Sequence, residues 1–263
     1  MADLFVIKIG GNVIDDEAKL SSFLDAFASI KERKILVHGG GKMATRLGEQ
    51  LGIPQKLVDG RRITDAETLK VVTMVYAGYI NKNIVAQLQA RDCNAIGLSG
   101  ADGNAVIAHK RKSEDSATDY GFAGDIDAVN SPLLKNLLDD ELAIVVSPIT
   151  HDGHGQLLNT NADTIAQELA KTLGIYYSVT LIYCFEKSGV LLDANDDNTV
   201  IPVINPDSYV ELKSEQKIFA GMIPKLDNAF SALNNGVKKV IIGKAEQLTL
   251  LVESKTGTTI VNG

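Results

Sequence analysis

Cysteine is scarce. Cys93 and Cys184 lie 91 positions apart, so neither a disulfide framework nor a cysteine metal site has the residues it needs. Both sit in apolar surroundings and read as reduced, buried thiols. Proline is also sparse, 6 in 263 residues, and with 45% hydrophobic and 22% charged residues the composition excludes disordered and fibrous chains. Long apolar runs are missing: no stretch approaches the ~20 residues that a membrane-spanning helix needs. The opening MADLFVIKIGG breaks its short apolar run at Lys8 and lacks the order of a signal peptide. These absences lead to an expected cytoplasmic protein with no membrane partner. Positive charge is in the minority, 26 Lys+Arg against 33 Asp+Glu, and the net −7 repels a polyanion at long range, which argues against a general nucleic-acid binder. Serine-hydrolase elbows (GxSxG), zinc-protease helices (HExxH) and the HRD/DFG pair of protein kinases are absent as well.

What is present is an alternation. Residues 3–9, 34–38, 94–98, 142–146, 177–184 and 237–242 are short, β-branched runs bounded by Gly, Asn or charges, and read as buried strands. Stretches of helical period fill the gaps at 16–32, 42–51, 65–92, 131–139, 162–173 and 225–235. Strand and helix in turn predict an α/β fold with a mostly parallel sheet covered on both faces. Residues 105–128 suggest a hairpin flap, and the polar DANDDN loop at 193–198 opens a segment returning through VIPVI at 200–204. A change of motif near Gly174 suggests two lobes of one sheet.

Ligands of such sheets collect at the carboxyl ends of the strands, and those positions are glycine-rich. Gly10-Gly11 follows the first strand, Gly39-Gly40-Gly41-Lys42 the second, and Ser188-Gly189 a later one. A glycine turn entering a helix offers unobstructed N–H groups at the positive end of the dipole, a site for an anion. The second turn is not a P-loop, since Met43 stands where Ser or Thr would meet magnesium. Its Gly39-x-Gly41-x-x-Ala44 does fit a degenerate dinucleotide fingerprint, with Asp59 near the acidic position, and a tight strand-to-helix turn is the bland alternative.

Lys8 interrupts a buried strand, where an ammonium is costly without an anion, unless the strand lies at an edge and the side chain points to water. Lys225 opens a helix behind Pro224, where a cation opposes the dipole. Asn161 and Thr164 can cap the helix after residue 161, and Thr64 or Asp65 the one after 65, which would leave Arg62 to clamp a carboxylate. His151-Asp152-Gly153-His154 reads as a solvated turn, not a metal site. His109-Lys110-Arg111-Lys112 reads as the polar face of the flap. The apolar positions Leu69, Val72, Val75, Ile80 and Ile84 mark the long helix either as a subunit contact or as buried against its own sheet.

Taken together, Lys8-Ile9-Gly10-Gly11, His38-Gly39-Gly40-Gly41, Gly60-Arg61-Arg62-Ile63-Thr64, Asn159-x-Asn161-Ala162-Asp163 and Gly221-Met222-Ile223-Pro224-Lys225 resemble the amino acid kinase family. The likeness covers the whole chain in order and is nearest to the family's acetylglutamate branch. It implies a three-layer αβα sandwich in two lobes, 1–174 for the N-acylated amino acid and dimerisation, 175–263 for ATP. The implied reaction is phosphorylation of the side-chain carboxylate of an N-acylated glutamate by ATP with Mg²⁺, as in the second step of arginine biosynthesis. The acyl group is acetyl or, as an alternative, succinyl, for whose extra carboxylate Arg61 or the Lys110–Lys112 cluster is a candidate. A dinucleotide-dependent oxidoreductase and a non-catalytic sensor are the more distant alternatives.

By position, the resemblance makes Lys8 and Lys225 the groups that stabilise the transferring phosphoryl and Asp163 the organiser of both. Arg62 and Asn159, with Gly40 and Gly41, would hold the amino acid. Gly11, Glu186, Lys187, Ser188, Gly189, Val190, Leu191, Lys217, Gly221 and Met222 would line the nucleotide site, and no residue is assigned to a metal of the protein's own. Phe185-Glu186-Lys187 departs from the aspartate-containing turn frequent in the family. Arginine-inhibited relatives carry a helix before the first strand; a strand starting within three residues leads to the expectation of no arginine feedback and a dimer.

Overall fold

The structure, a computed structural model, describes residues 1–58, 61–112, 118–193, 195–215, 217–218 and 222–263. Its strands are β1 (Asp3–Ile9), β2 (Arg33–His38), β3 (Lys56–Val58), β4 (Arg61–Ile63), β5 (Ala95–Leu98), β6 (Val106–Lys110), β7 (Ala123–Val129), β8 (Ala143–Val146), β9 (Ile149–His151), β10 (Leu157–Thr160), β11 (Ser178–Phe185), β12 (Val203–Ile204), β13 (Lys239–Lys244) and β14 (Thr258–Ile260). The α-helices are α1 (Gly11–Ile14), α2 (Glu17–Ser29), α3 (Gly41–Gln50), α4 (Ala66–Thr73), α5 (Asn81–Gln89), α6 (Ser131–Asp139), α7 (Ala162–Leu173), α8 (Pro206–Ser214), α9 (Ile223–Asn234) and α10 (Leu248–Val252).

Eight strands build the main sheet in the order β12-β14-β13-β11-β1-β2-β8-β5. The run from β13 to β5 is parallel, while β14 lies antiparallel to β13 and carries β12 at the edge. All six expected strands are there. β1 pairs with β11 on one side and β2 on the other, so Lys8 stands in the middle of the sheet and not at an edge.

Alternation along β1 divides the core in two. Leu4 and Val6 face a layer containing Leu134 of α6, Ile165 and Leu169 of α7 and Leu226 of α9. Phe5, Ile7 and Ile9 face Phe23 and Phe27 of α2, Val72 of α4 and Ile84 of α5. Each such fully buried side chain contributes about 1.5–3 kcal/mol through removal from water. The same period of two puts Lys8 on the face of Leu4 and Val6, toward α7 and α9.

Three regions depart from the sequence reading. The hairpin of β6 and β7 does not stand alone: with β9 and β10 it closes a small four-stranded barrel. His151, read as part of a solvated turn, is buried on β9, where its Nδ1 accepts from the Gly153 N–H at 3.2 Å; only His154 lies exposed in the turn. The stretch at 65–92 is α4, a π-helical turn at Met74–Ile80 and α5. Leu69, Val72, Val75, Ile80 and Ile84 are all buried in the chain's own core, which settles that stripe as packing; Met74 and Tyr79 of the π turn are the exposed large residues there.

Candidate active site

Two glycine turns lie side by side at the carboxyl ends of β1 and β2. Gly39 N–H donates to Ile9 O at 3.2 Å, which joins them through the backbone. Lys42 donates to Asn12, and Arg46 reaches Asp15 at 3.1 Å, tying α3 to α1. Gly40 has φ +147°, and a Cβ there would stand 2.3 Å from Ile80 Cδ1 and 3.1 Å from Tyr76 Cδ1. No other residue fits between the second turn and the π-helical turn.

Behind these turns the charges converge. Lys8 is nearly buried, its Nζ 2.7 Å from Asp163 Oδ1. Asp163 belongs to the first turn of α7, where a carboxylate suits the helix dipole. Its position is set by Asn161, whose side-chain oxygen accepts the N–H groups of Asp163 and Thr164 at 2.8 and 3.2 Å. From α9, Lys225 brings its Nζ 3.5 Å from the centroid of the Phe185 ring, and Lys8 Nζ is 5.7 Å from the same ring. Burial, with help from the neighbouring Lys8 charge, lowers the Lys225 pKa, and Asp163 opposes that shift. Lys8 is paired with the carboxylate, and Lys225 feels it through space. The cluster retains a net positive charge and suits an anion.

Two cavities share Gly41; Lys225 lines the larger, and Asn161 and Ala162, next to Asp163 in the chain, line the smaller. The larger, about 690 Å³, is walled by Gly11, Glu186, Lys187, Gly189, Leu191 and Met222 as anticipated, and by Lys225 itself. Three anticipated residues do not line it. Val190 is wholly buried, its N–H donating to Thr258 Oγ1 at 2.8 Å. Ser188 Oγ donates to Asp197 Oδ2 at 3.1 Å, and Lys217 pairs with Glu215 at 2.7 Å on the surface. Gly221 lies outside the described residues. Asn195, Ile242 and Glu246 line the cavity without any local motif to announce them, and Phe185, which had marked a departure from a pattern, is the platform under Lys225.

The smaller cavity, about 190 Å³, gathers Gly40, Gly41, Arg62 and Asn159, all anticipated, with Leu57, Arg61 and Tyr76. Arg62 is braced, not free: it donates to Gly41 O and Thr45 Oγ1, both at 2.9 Å, and to Gln55 Oε1. Asp65 alone caps α4, accepting the Thr68 N–H at 2.7 Å, which holds its carboxyl below the usual range. Thr64 instead links the arginine strand to β10, since its hydroxyl donates to Arg62 O and accepts from Asn159 Nδ2, at 2.9 and 3.0 Å.

His38 is fully buried beside the second turn. Burial lowers its pKa to about 4, so the neutral ring donates from Nδ1 to Gly39 O at 2.8 Å and faces Asn81 Nδ2 with Nε2 at 3.3 Å. It is a structural brace. Among the described residues no group of three or more His, Cys, Asp or Glu side chains is arranged to hold a metal ion, and no helix is long and apolar enough to cross a membrane.

Comparison with known proteins gives a consistent result. The model of the amino acid kinase family matches residues 3–244. The acetylglutamate kinase of Cytophaga hutchinsonii is 57% identical over 263 residues, spanning 99% of each chain. Among solved structures, the Neisseria gonorrhoeae N-acetylglutamate synthase complexed with coenzyme A and N-acetylglutamate superposes with TM-score 0.83 at 21% identity; this chain is fully covered and spans 60% of the synthase chain. Giardia lamblia carbamate kinase bound to AMP-PNP gives 0.70 at 14% identity, covering 100% of this chain and 99% of its own. The two structural likenesses establish the fold. The family match sets aside the dinucleotide reading of Gly39-x-Gly41-x-x-Ala44, and Asp59, on which that reading leaned, lies outside the described residues.

Proposed function

The chain belongs to the amino acid kinase family, and from that premise we infer that it transfers the γ-phosphoryl group of ATP to the side-chain carboxylate of N-acetyl-L-glutamate, the second step of arginine biosynthesis. The observation that carries the reading is the Lys8–Asp163–Lys225 cluster, whose Lys225 lines a nucleotide-sized cavity and whose Asp163 follows the residues Asn161 and Ala162 of a small cavity containing arginine.

The chemistry asks for little else. A glutamate carboxylate, with a pKa of about 4.3, is already an anion at neutral pH, so no general base is required. What remains is to bring that anion against a polyphosphate and to stabilise a loose, in-line transition state. Arg62 and Asn159 hold the amino acid's α-carboxylate in the smaller cavity, and the polyphosphate enters from the larger one. The N–H groups of Gly11, Gly40 and Gly41 and the two ammonium groups meet the phosphoryl oxygens. Asp163 holds the lysines and takes no proton.

Magnesium, bound together with ATP, would offset negative charge on the phosphates, and no residue of the chain is assigned to it. The N-terminal lobe to residue 174 holds the acylated amino acid and the remainder the ATP. The enzyme works in the cytoplasm as a homodimer, with exposed Met74 and Tyr79 the contact to test. Trapping the acyl phosphate with hydroxylamine tests the whole reading. N-acetylglutamate with MgATP gives the hydroxamate, and free glutamate and aspartate do not. ATP binding without hydroxamate from any of the three overturns it.

A further inference from the structure

Phe185 shares a face of the sheet with Lys8. β1 and β11 run parallel with Lys8 opposite Tyr183, and residues two apart on a strand point to one side, so Tyr183 and Phe185 both stand on the lysine's face. Their rings stack, centroids 6.2 Å apart and planes 21° apart. Tyr183 is buried, and its hydroxyl donates to the backbone oxygen of Asp163 at 3.4 Å, the residue whose carboxylate pairs with Lys8. Phe185 ends the strand, half-buried against the core and at the wall of the larger cavity. Lys8 has the carboxylate; Lys225 has much less. Among the described residues the Lys225 ammonium makes no hydrogen bond and no ion pair, and it stands in the first turn of α9, where the helix dipole opposes a cation. Burial and the Lys8 charge lower its pKa, against the more distant pull of Asp163. What stands against the ammonium is the Phe185 ring, with Nζ 3.5 Å from the centroid, and Lys8 Nζ lies 5.7 Å from that same centroid.

An ammonium in that place needs a partner that does not cancel its charge. A second carboxylate would hold Lys225 and at the same time remove the positive charge that the phosphoryl oxygens require. An aromatic face attracts a cation through its quadrupole, carries no net charge and asks for no hydration of its own. We propose that Phe185 is a positioning residue for phosphoryl transfer: its ring keeps Lys225, and more weakly Lys8, charged and aimed at the phosphates in the larger cavity, as Asp163 does for Lys8. This rests on the kinase reading and deepens it, by giving the Phe185-Glu186-Lys187 turn, which departs from the family's aspartate-containing pattern, a part in the same step. Phe185 takes no proton and touches no reacting atom; it acts through the lysines alone.

The test replaces the phenylalanine at position 185 of the full chain by its 4-fluoro, 3,5-difluoro and 3,4,5-trifluoro analogues. Fluorine withdraws negative charge from the ring face step by step and leaves the shape of the side chain nearly unchanged, so the quadrupole varies while packing is conserved. The readout is ADP formed in a single turnover of MgATP with N-acetyl-L-glutamate, followed from about pH 6 to 10. Asp163 of α7 and Lys8 of β1 are the charges that act on Lys225, and Glu186, Lys187 and Glu246 line the same cavity; none of them changes in the series. The rate falls with each fluorine, reaching about 5- to 30-fold for the trifluoro ring. The alkaline limb moves to lower pH in the same order, because a weaker ring face lets Lys225 lose its proton sooner. An unchanged rate or an unmoved limb across the series overturns the proposal and leaves the kinase reading intact. A loss confined to Phe185→Leu, with the fluorinated proteins unaffected, overturns it as well, by assigning the ring to packing. No ADP from the unaltered protein with N-acetylglutamate, although it binds ATP, overturns the kinase reading and the proposal together.

Discussion

Asp163→Asn separates an organiser from a base. The carboxylate lies 2.7 Å from Lys8 Nζ, a gross attraction of about 1.5–6 kcal/mol for effective dielectric constants between about 80 and 20. Its side chain is 33% exposed and that of Lys8 11%, which selects the lower part of that range, about 1.5–3 kcal/mol. If all of it serves to hold Lys8 against the transferring phosphoryl, the amide costs about 10- to 150-fold in kcat. A second effect has a sign. Asp163 opposes the lowering of the Lys225 pKa, so its neutralisation drives that pKa further down, and Lys225 loses its proton at lower pH than before. The alkaline limb of the kcat profile therefore moves to lower pH in Asp163→Asn, and no acid limb vanishes. The assay is initial-rate hydroxamate formation from pH 5 to about 10 at saturating substrates. A fall beyond about 10⁴-fold together with loss of an acid limb would show that Asp163 transfers a proton, and the organiser argument would be refuted. An unmoved alkaline limb would remove its influence on Lys225.

Gly40→Ala forces a Cβ to 2.3 Å from Ile80 Cδ1 at a φ that side chains rarely adopt, and lowers stability by about 1–3 kcal/mol, read as a drop in Tm. His38 is neutral when folded, with its pKa lowered from 6.5 to about 4, so the unfolded chain binds the extra proton in that window and stability falls as pH drops through it. Urea unfolding at pH 7.5, 6 and 5 will show a loss of about 2 kcal/mol by pH 5, and His38→Asn flattens that slope. Cys184, its thiol raised to about 12 by burial, resists thiol reagents in the native protein and reacts once urea unfolds it. A chelator stops turnover but leaves the Tm of the nucleotide-free protein unchanged, because magnesium arrives with ATP; a fall in Tm would reveal a metal held by the chain itself.

Local pattern carried the secondary structure a long way. Residues 3–9 and 142–146 read as buried strands because β-branched runs bounded by polar residues have few other folded states, and the glycines after β1 and β2 announced turns that side chains would block. Residues reached through non-local contacts were less visible. Ser188 and Val190 are adjacent to lining residues, yet one turns to Asp197 and the other into the core, since consecutive side chains diverge. Asn195, Ile242 and Glu246 come from three separate segments with no shared spacing. The π-helical turn that presses Tyr76 and Ile80 against Gly40 breaks the 3.6 period too briefly to be read in a 28-residue helical stretch.

By itself the sequence determined the inventory: an alternating α/β chain, glycine turns at strand ends and two lysines in improbable places, with Asp163 marked only by the family resemblance. Tertiary structure decided which of them meet. Lys8 is costly or harmless according to whether β1 lies inside the sheet or at its edge, and that depends on pairing with β11, some 170 residues away, as well as β2. Only that pairing aims Lys8 at the first turns of α7 and α9, and only the packing of those helices brings Asp163 and Lys225 to it. Spacing along the chain sets which face a residue takes; what stands opposite that face is set by contacts between segments that the chain itself keeps far apart.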